Sequence, residues 1–248
     1  ATLLRELKPL LHLDAMTVTG RTLGEELDAQ GPGFAQDVVR PFSNPIYPQG
    51  GIAVLRGNLA PGGAIIKQSA ADAKLMEHEG RAVVFENAAD LALRIDSEGL
   101  DVRADDILVL KNIGPKGAPG MPEAGYLPIP IKLAKAGVKD MVRISDGRMS
   151  GTAYGTIVLH VTPESAVGGP LAYVRNGDRI RLSVSQREIK LLISDDELAK
   201  RMRELPITPP TAERGYQKLF LQTVTQADQG ADFDFLRAAH SVGKTPRT

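Results

Sequence analysis

Ser145-Asp-Gly-Arg-Met-Ser150-Gly-Thr152 places two hydroxyls, a carboxylate and a guanidinium in one short bend of small residues. β-Branched apolar runs flank it, Met141–Ser145 before and Thr156–Val161 after, so a rigid scaffold can aim Ser150 and Thr152 at a ligand. The same residues also fit a turn whose hydroxyls cap local backbone groups. Asp146 and Arg148 are expected to pair with each other or to orient the bend, and either could touch a carboxylate. Lys67 ends an apolar run and suits an anion or a snorkelling surface position equally. His160, within an apolar strand pattern, reads as a hydrogen-bonded core histidine. Gly57 to Gly63 is glycine-rich but lacks dinucleotide and P-loop spacings, which leaves a turn.

Composition narrows the chemistry. Thirty Lys+Arg against 30 Asp+Glu give zero formal charge, so no nucleic-acid or anionic-membrane partner is indicated. Aromatics at 4%, without Trp, disfavour a stacking platform for single strands. The absence of Cys removes disulfides, thiolate zinc sites and cysteine-held iron–sulfur clusters from this chain. No apolar run reaches membrane-span length and no signal peptide is visible, which gives a cytoplasmic expectation. The chain opens Ala1-Thr-Leu-Leu-Arg-Glu-Leu, without Met, as though already inside a helix.

The elements that must position these groups are mostly strands. Leu3, Leu4, Leu7, Leu10 and Leu11 predict a helix over 2–11, and Thr22–Leu27 a second. A Pro/Gly-rich stretch through Gly31-Pro-Gly33 and Pro41 to Gly51 predicts a boundary near residue 48. Strands are expected at Ile52–Arg56, Ala64–Lys67, Arg81–Glu86, Ile107–Lys111, Met141–Ser145, Thr156–Val161, Leu171–Val174, Arg179–Val184 and Glu188–Ile193. Ser69-Ala-Ala-Asp72 and Ser194-Asp-Asp-Glu197 resemble capping boxes for helices near 70–78 and 195–204. Ile129–Ala136 predicts a short helix stopped by Gly137, Asn176-Gly177 a tight turn between strands, and Tyr216 to Val224 a packing helix. The sum is a mixed, β-rich α+β fold of barrel or sandwich type, with short flanking helices.

Three segments carry a resemblance over nearly the whole chain. Gly51-Ile-Ala-Val-Leu-Arg-Gly-Asn-Leu-Ala-Pro61, Gly114-Pro-Lys-Gly-Ala-Pro-Gly-Met-Pro-Glu123 and Ser145–Thr152 resemble dihydroxy-acid and sugar-acid (phosphogluconate) dehydratases. His160-Val-Thr-Pro-Glu164, Gly168-Gly-Pro170 and Asn176-Gly-Asp178 agree in order and spacing. Ser150-Gly-Thr-Ala-Tyr154 and Asp232-Phe-Asp-Phe-Leu236 look more like the pentonate (arabinonate/xylonate-type) branch than the branched-chain amino-acid branch.

The resemblance implies removal of water from a 2,3-dihydroxy acid to give a 2-keto acid, with Mg²⁺ and an iron–sulfur cluster, [2Fe-2S] by preference. The cluster ligands would lie in a larger N-terminal domain. It implies that 49–248 form a C-terminal swivelling β-barrel domain with a helical tail. Residues 1–48 would be the end of the preceding domain plus a helical linker. Ser150 would be the base, acting as an alkoxide, Thr152 a substrate contact and Glu123 a Mg²⁺ ligand. Gly120-Met-Pro-Glu123 puts a hard oxygen donor on a stiff loop, as Mg²⁺ requires, although a solvated loop glutamate fits the same residues. A homodimer or tetramer is implied. The alternatives are a dihydroxy-acid dehydratase of branched-chain synthesis, a small-molecule-binding barrel without catalysis and an oligomerisation module. The isolated chain is expected to be inactive and free of iron.

Overall fold

The computed structural model describes residues 2–31, 33, 36–123 and 127–237. They fall into two compact units, up to Gly50 and from Gly51 onward. In the first, the expected helix over 2–11 is divided. α1 (Thr2–Glu6) gives way to a 3₁₀ turn at Lys8–Leu10, because Pro9 lacks the amide a continuing α-helix needs. α2 (Leu23–Ala29) starts from a reciprocal capping box, with Thr22 accepting from the Glu25 amide and Glu25 accepting from the Thr22 amide. Pro32 of the expected Gly31–Gly33 loop lies outside the described residues.

The second unit is a closed eight-stranded barrel in the order β1-β2-β6-β5-β4-β3-β7-β8. The strands are β1 (Ala53–Gly57), β2 (Ala60–Ile66), β3 (Glu77–Phe85), β4 (Ile107–Leu110), β5 (Arg143–Ser145), β6 (Ile157–Thr162), β7 (Arg179–Ser183) and β8 (Glu188–Leu191). β3–β4, β4–β5 and β5–β6 pair in parallel, while β1–β2, β2–β6, β3–β7 and β7–β8 are antiparallel. Closure comes from the parallel pairing of Arg56 with Glu188.

β4 is apolar on both faces, as a strand covered on both sides must be. In β4, Ile107 and Val109 enter the cluster that fills the barrel, with Leu55, Ile144, Val158, Ile180 and Ile189. Leu108 and Leu110 point the other way, joining Phe85, Leu91, Met141 and Leu159 beneath α3 (Ala88–Arg94) and beside α4 (Ile131–Lys135). β7 alternates as its sequence indicates, with Ile180 and Leu182 buried while Arg179 is exposed. α5 (Asp195–Glu204) follows its Ser194 cap, and α6 (Gly215–Thr223) buries Leu221.

Two expectations are corrected. Leu171–Val174 belongs to a 3₁₀ turn at Pro170–Tyr173, since Pro170 fixes φ at the first helical position and cannot donate to a ladder. The helix near 70–78 is replaced by 3₁₀ turns at Gln68–Ala70 and Ala73–Leu75. There Asp72, rather than Ser69, caps by accepting from the Lys74 amide, and from Glu77 the chain pairs with β7. Asn176-Gly177 therefore turns from a 3₁₀ segment into β7, and the Asn176 side chain accepts from the Val84 amide at 2.7 Å. α3 answers to an unread signal, the Asn87 cap that accepts from the Asp90 amide.

Candidate active site

The C-terminal ends of the parallel strands carry the chemistry-bearing loops, the usual location for a site in such sheets. Beyond β4 runs the loop with Gly114-Pro-Lys-Gly117 and Glu123; beyond β5 runs the Ser150 loop; beyond β6 come Pro163 and Glu164. Two buried carboxylates tie these loops together. Asp146 is fully buried and accepts from the Ile113 amide at 2.9 Å and the Ser165 amide at 2.8 Å. Burial pushes its carboxyl up and those amide bonds oppose the rise, while the nearby Glu164 adds to it. Glu164, also buried, accepts from the amides of Lys116 and Gly117 and from Gln226. A β-carbon on Gly114 would sit 2.6 Å from Glu164 Oε2, so this close approach requires glycine.

The Ser150 loop is fastened on both flanks. The His160 amide donates to Gly147 O, and the Met149 amide donates to His160 Nε2 at 2.9 Å. That acceptor nitrogen is unprotonated, so the ring proton lies on Nδ1. Burial pushes the imidazole down, and Arg148 adds to the effect. His160 is thus the hydrogen-bonded histidine its setting suggests, held at φ +54°. On the far flank, the Gly155 amide donates to Ala70 O and buried Arg143 donates to Tyr154 O.

Between these anchors Ser150 Oγ and Thr152 Oγ1 lie 3.0 Å apart, and the Thr152 amide donates to Ser150 Oγ at 3.2 Å. Ser150 itself is largely buried. The Lys67 side chain turns to the Ser150 loop, where its Nζ donates to the carbonyls of Ser150, Gly151 and Ala153 at 3.3, 2.7 and 3.3 Å. Arg148 does not pair with Asp146, which is turned inward to the two amides. Instead, Arg148 Nη2 donates to Glu123 Oε1 at 3.0 Å and Nε to Met121 O at 3.2 Å. Glu123 therefore reaches the Ser150 loop through Arg148, and no direct Glu123–Ser150 hydrogen bond is among those described.

Metal capacity on this chain is partial. Glu123 is about half exposed and fits a single carboxylate ligand. Among the described residues no group of three or more His, Asp or Glu is placed to hold an ion. With no Cys, the chain does not fit a thiolate-held cluster.

A closed mixed barrel with a hydroxyl-bearing loop and a carboxylate loop at its parallel-strand ends defines a domain built to present a polar site. The chain belongs to the dihydroxy-acid/6-phosphogluconate dehydratase C-terminal family, whose model matches residues 37–231. It is 51% identical over 229 residues to an L-arabonate dehydratase of Azospirillum brasilense, covering 90% of this chain and 39% of the relative. It is 49% identical over 247 residues to a 6-deoxy-6-sulfo-D-gluconate dehydratase of Pseudomonas putida, covering 98% and 42%. A dihydroxy-acid dehydratase of Nitratidesulfovibrio vulgaris is 44% identical over 229 residues, covering 89% and 40%. The chain thus spans about two fifths of the length of these relatives.

Proposed function

We propose that this chain is the C-terminal part of a cytoplasmic, homo-oligomeric hydro-lyase that converts a 2,3-dihydroxy sugar acid to a 2-keto-3-deoxy acid. Residues 49–248 are its barrel domain and 1–48 the end of the preceding domain plus linker. The observation that carries the reading is the setting of Ser150 Oγ, which accepts from the Thr152 amide at 3.2 Å and lies 3.0 Å from the Thr152 hydroxyl, a group free to donate to it. A serine hydroxyl is too weak an acid to serve as a base near neutral pH unless its alkoxide is stabilised. Donors converging on the charged oxygen favour that form. Ser150 then takes the proton from the carbon beside the substrate carboxylate, and Thr152, within reach of the same oxygen, also binds a substrate hydroxyl.

Glu123 would hold Mg²⁺, which when bound supplies positive charge for the substrate carboxylate and the developing enolate. Arg148 keeps Glu123 next to the Ser150 loop. Assistance to hydroxide departure is not assigned to any residue of this chain, and the cysteine ligands of a [2Fe-2S] cluster would come from elsewhere in the protein. Identities of 49–51% to the sugar-acid relatives, against 44% to the dihydroxy-acid one, favour an aldonate substrate.

The test is Ser150→Ala in the full-length protein, assayed for 2-keto acid formation from aldonates and from branched 2,3-dihydroxy acids with Mg²⁺ varied. The reading expects a preference for aldonates, Mg²⁺ dependence, and a loss of about 10³-fold in kcat, the span of general-base catalysis. Full activity of Ser150→Ala would sink it.

A further inference from the structure

Lys67 is the residue of this site whose position its sequence context explains least. It lies one residue past β2, whose last residue, Ile66, is fully buried, and among the described residues it enters no ion pair. Its Nζ faces three carbonyls of one loop, those of Ser150, Gly151 and Ala153. An ammonium has three donors and no acceptor, so three carbonyls satisfy it completely. Such charged donors make stronger bonds than neutral ones. The loop supplies few internal bonds of its own at this point: the Ala153 amide donates to Ser150 O, and the Thr152 amide is spent on Ser150 Oγ. Gly151, with open space where a β-carbon would be, adds no packing.

We infer that Lys67 is a positioning residue for Ser150, its ammonium gathering the carbonyls of 150, 151 and 153 and so fixing where the Ser150 hydroxyl points. The inference rests on the reading of Ser150 as the base. The cation also lies against the segment bearing that hydroxyl without a carboxylate to neutralise it, so its field favours negative charge on the loop. Removing it frees the Ser150–Ala153 turn while leaving the fastenings at Gly147, Met149 and Gly155 intact. A displacement of about 1 Å at a reacting group costs on the order of 10²-fold in rate.

The experiment compares Lys67→Met, Lys67→Arg and Ser150→Ala in the full-length protein, with kcat and KM measured separately and folding followed by thermal unfolding. The expected result is a fall in kcat of about 100-fold for Lys67→Met with KM changed less than about threefold. Lys67→Arg, which keeps a cationic multiple donor, should recover most of that loss. A Lys67→Met enzyme within twofold of the parent kcat, alongside an inactive Ser150→Ala, overturns the role of Lys67 and leaves the base in place. A loss confined to KM also overturns it, since that places Lys67 in substrate binding. If Lys67→Met fails to fold, the decision passes to Lys67→Arg: folded with near-parent kcat supports the inference, folded with kcat as low as Ser150→Ala overturns it. An active Ser150→Ala overturns the base assignment, and this inference with it.

Discussion

Glu123 and Arg148 are joined twice, by a side-chain ion pair at 3.0 Å and by an isolated parallel β-bridge between their backbones. The Arg148 amide donates to Pro122 O at 3.3 Å within that bridge. The proposed metal-ligand loop and the proposed base loop therefore share a short backbone zipper, and neither can shift far without the other. Each side chain of the pair is 46% exposed, so the ion pair itself contributes at most about 1 kcal/mol to stability.

That division of labour makes Glu123→Gln informative. The amide keeps an oxygen for Arg148 but loses the anionic charge a hard divalent cation prefers. Expected are an unfolding free energy within about 1 kcal/mol of the parent and at least a tenfold rise in the Mg²⁺ concentration giving half-maximal activity. Titration of the full-length protein with Mg²⁺ alone checks this, and an unchanged midpoint would remove Glu123 from the metal site.

Asp146→Asn tests the other tie. The carboxylate uses one oxygen for Ile113 and the other for Ser165, both through amide N–H donors. An asparagine can accept only one of these bonds, and its NH₂ would face the second donor in a fully buried setting. A loss of about 1–3 kcal/mol in unfolding free energy is expected. Chemical denaturation reads it, and a change within 0.5 kcal/mol, the ordinary scatter of surface substitutions, would refute the tie.

Much of this arrangement is legible in the sequence, and most of the unread part has one physical cause. The core strands announce themselves because β4, Ile-Leu-Val-Leu, is apolar at every position, as burial on both faces demands. Ser150, Thr152 and Glu123 were visible as residue types on small-residue loops. The partners of Lys67, Arg148 and Asp146 were not, because each lies on a different loop: Asp146 bonds 33 residues back and 19 ahead, and Lys67 bonds 83 to 86 residues ahead. Periodicity reports which face of an element is buried; it carries no information about which loops meet at the strand ends. The 70–78 helix failed for a related reason, since the cap-like Ser69-Ala-Ala-Asp72 was overridden by the pairing of Glu77 to Arg81 with β7. The Leu171 strand failed locally, at Pro170.

Gly155→Ala should damage the far flank of the Ser150 loop. Gly155 has φ +98°, and a β-carbon there would lie 2.0 Å from Arg143 Nη2 and 2.6 Å from Asp140 Oδ1. Arg143 is buried, paired with Asp140 at 2.8 Å, and donates to Leu127 O and Tyr154 O, so it cannot swing aside without breaking several bonds. Destabilisation of more than about 3 kcal/mol is expected, combining backbone strain with a broken buried ion pair. Thermal unfolding of the variant would show it, and a melting temperature equal to the parent's would contradict this geometry.

The last prediction concerns pH. His160 holds the Met149 amide through Nε2, and its imidazole is pushed below the ordinary value of about 6.5, first by burial and then by Arg148. Protonation would put a hydrogen on the nitrogen that accepts this bond. With the folded-state value lower than the unfolded one, the unfolded chain binds the extra proton first as pH falls. The stability associated with neutral His160 is therefore fully present above about pH 6.5 and is lost as pH falls through the folded-state value. Asp146, pushed up by burial, acts with the opposite sign, because its protonation favours the folded state. Between pH 7.5 and 5 the unfolding free energy of the parent should fall relative to that of His160→Asn, which shares the Asp146 contribution but has no imidazole proton to gain. Parallel slopes for the two proteins would show that His160 is not linked to folding and that the Met149 bond does not depend on its neutral form.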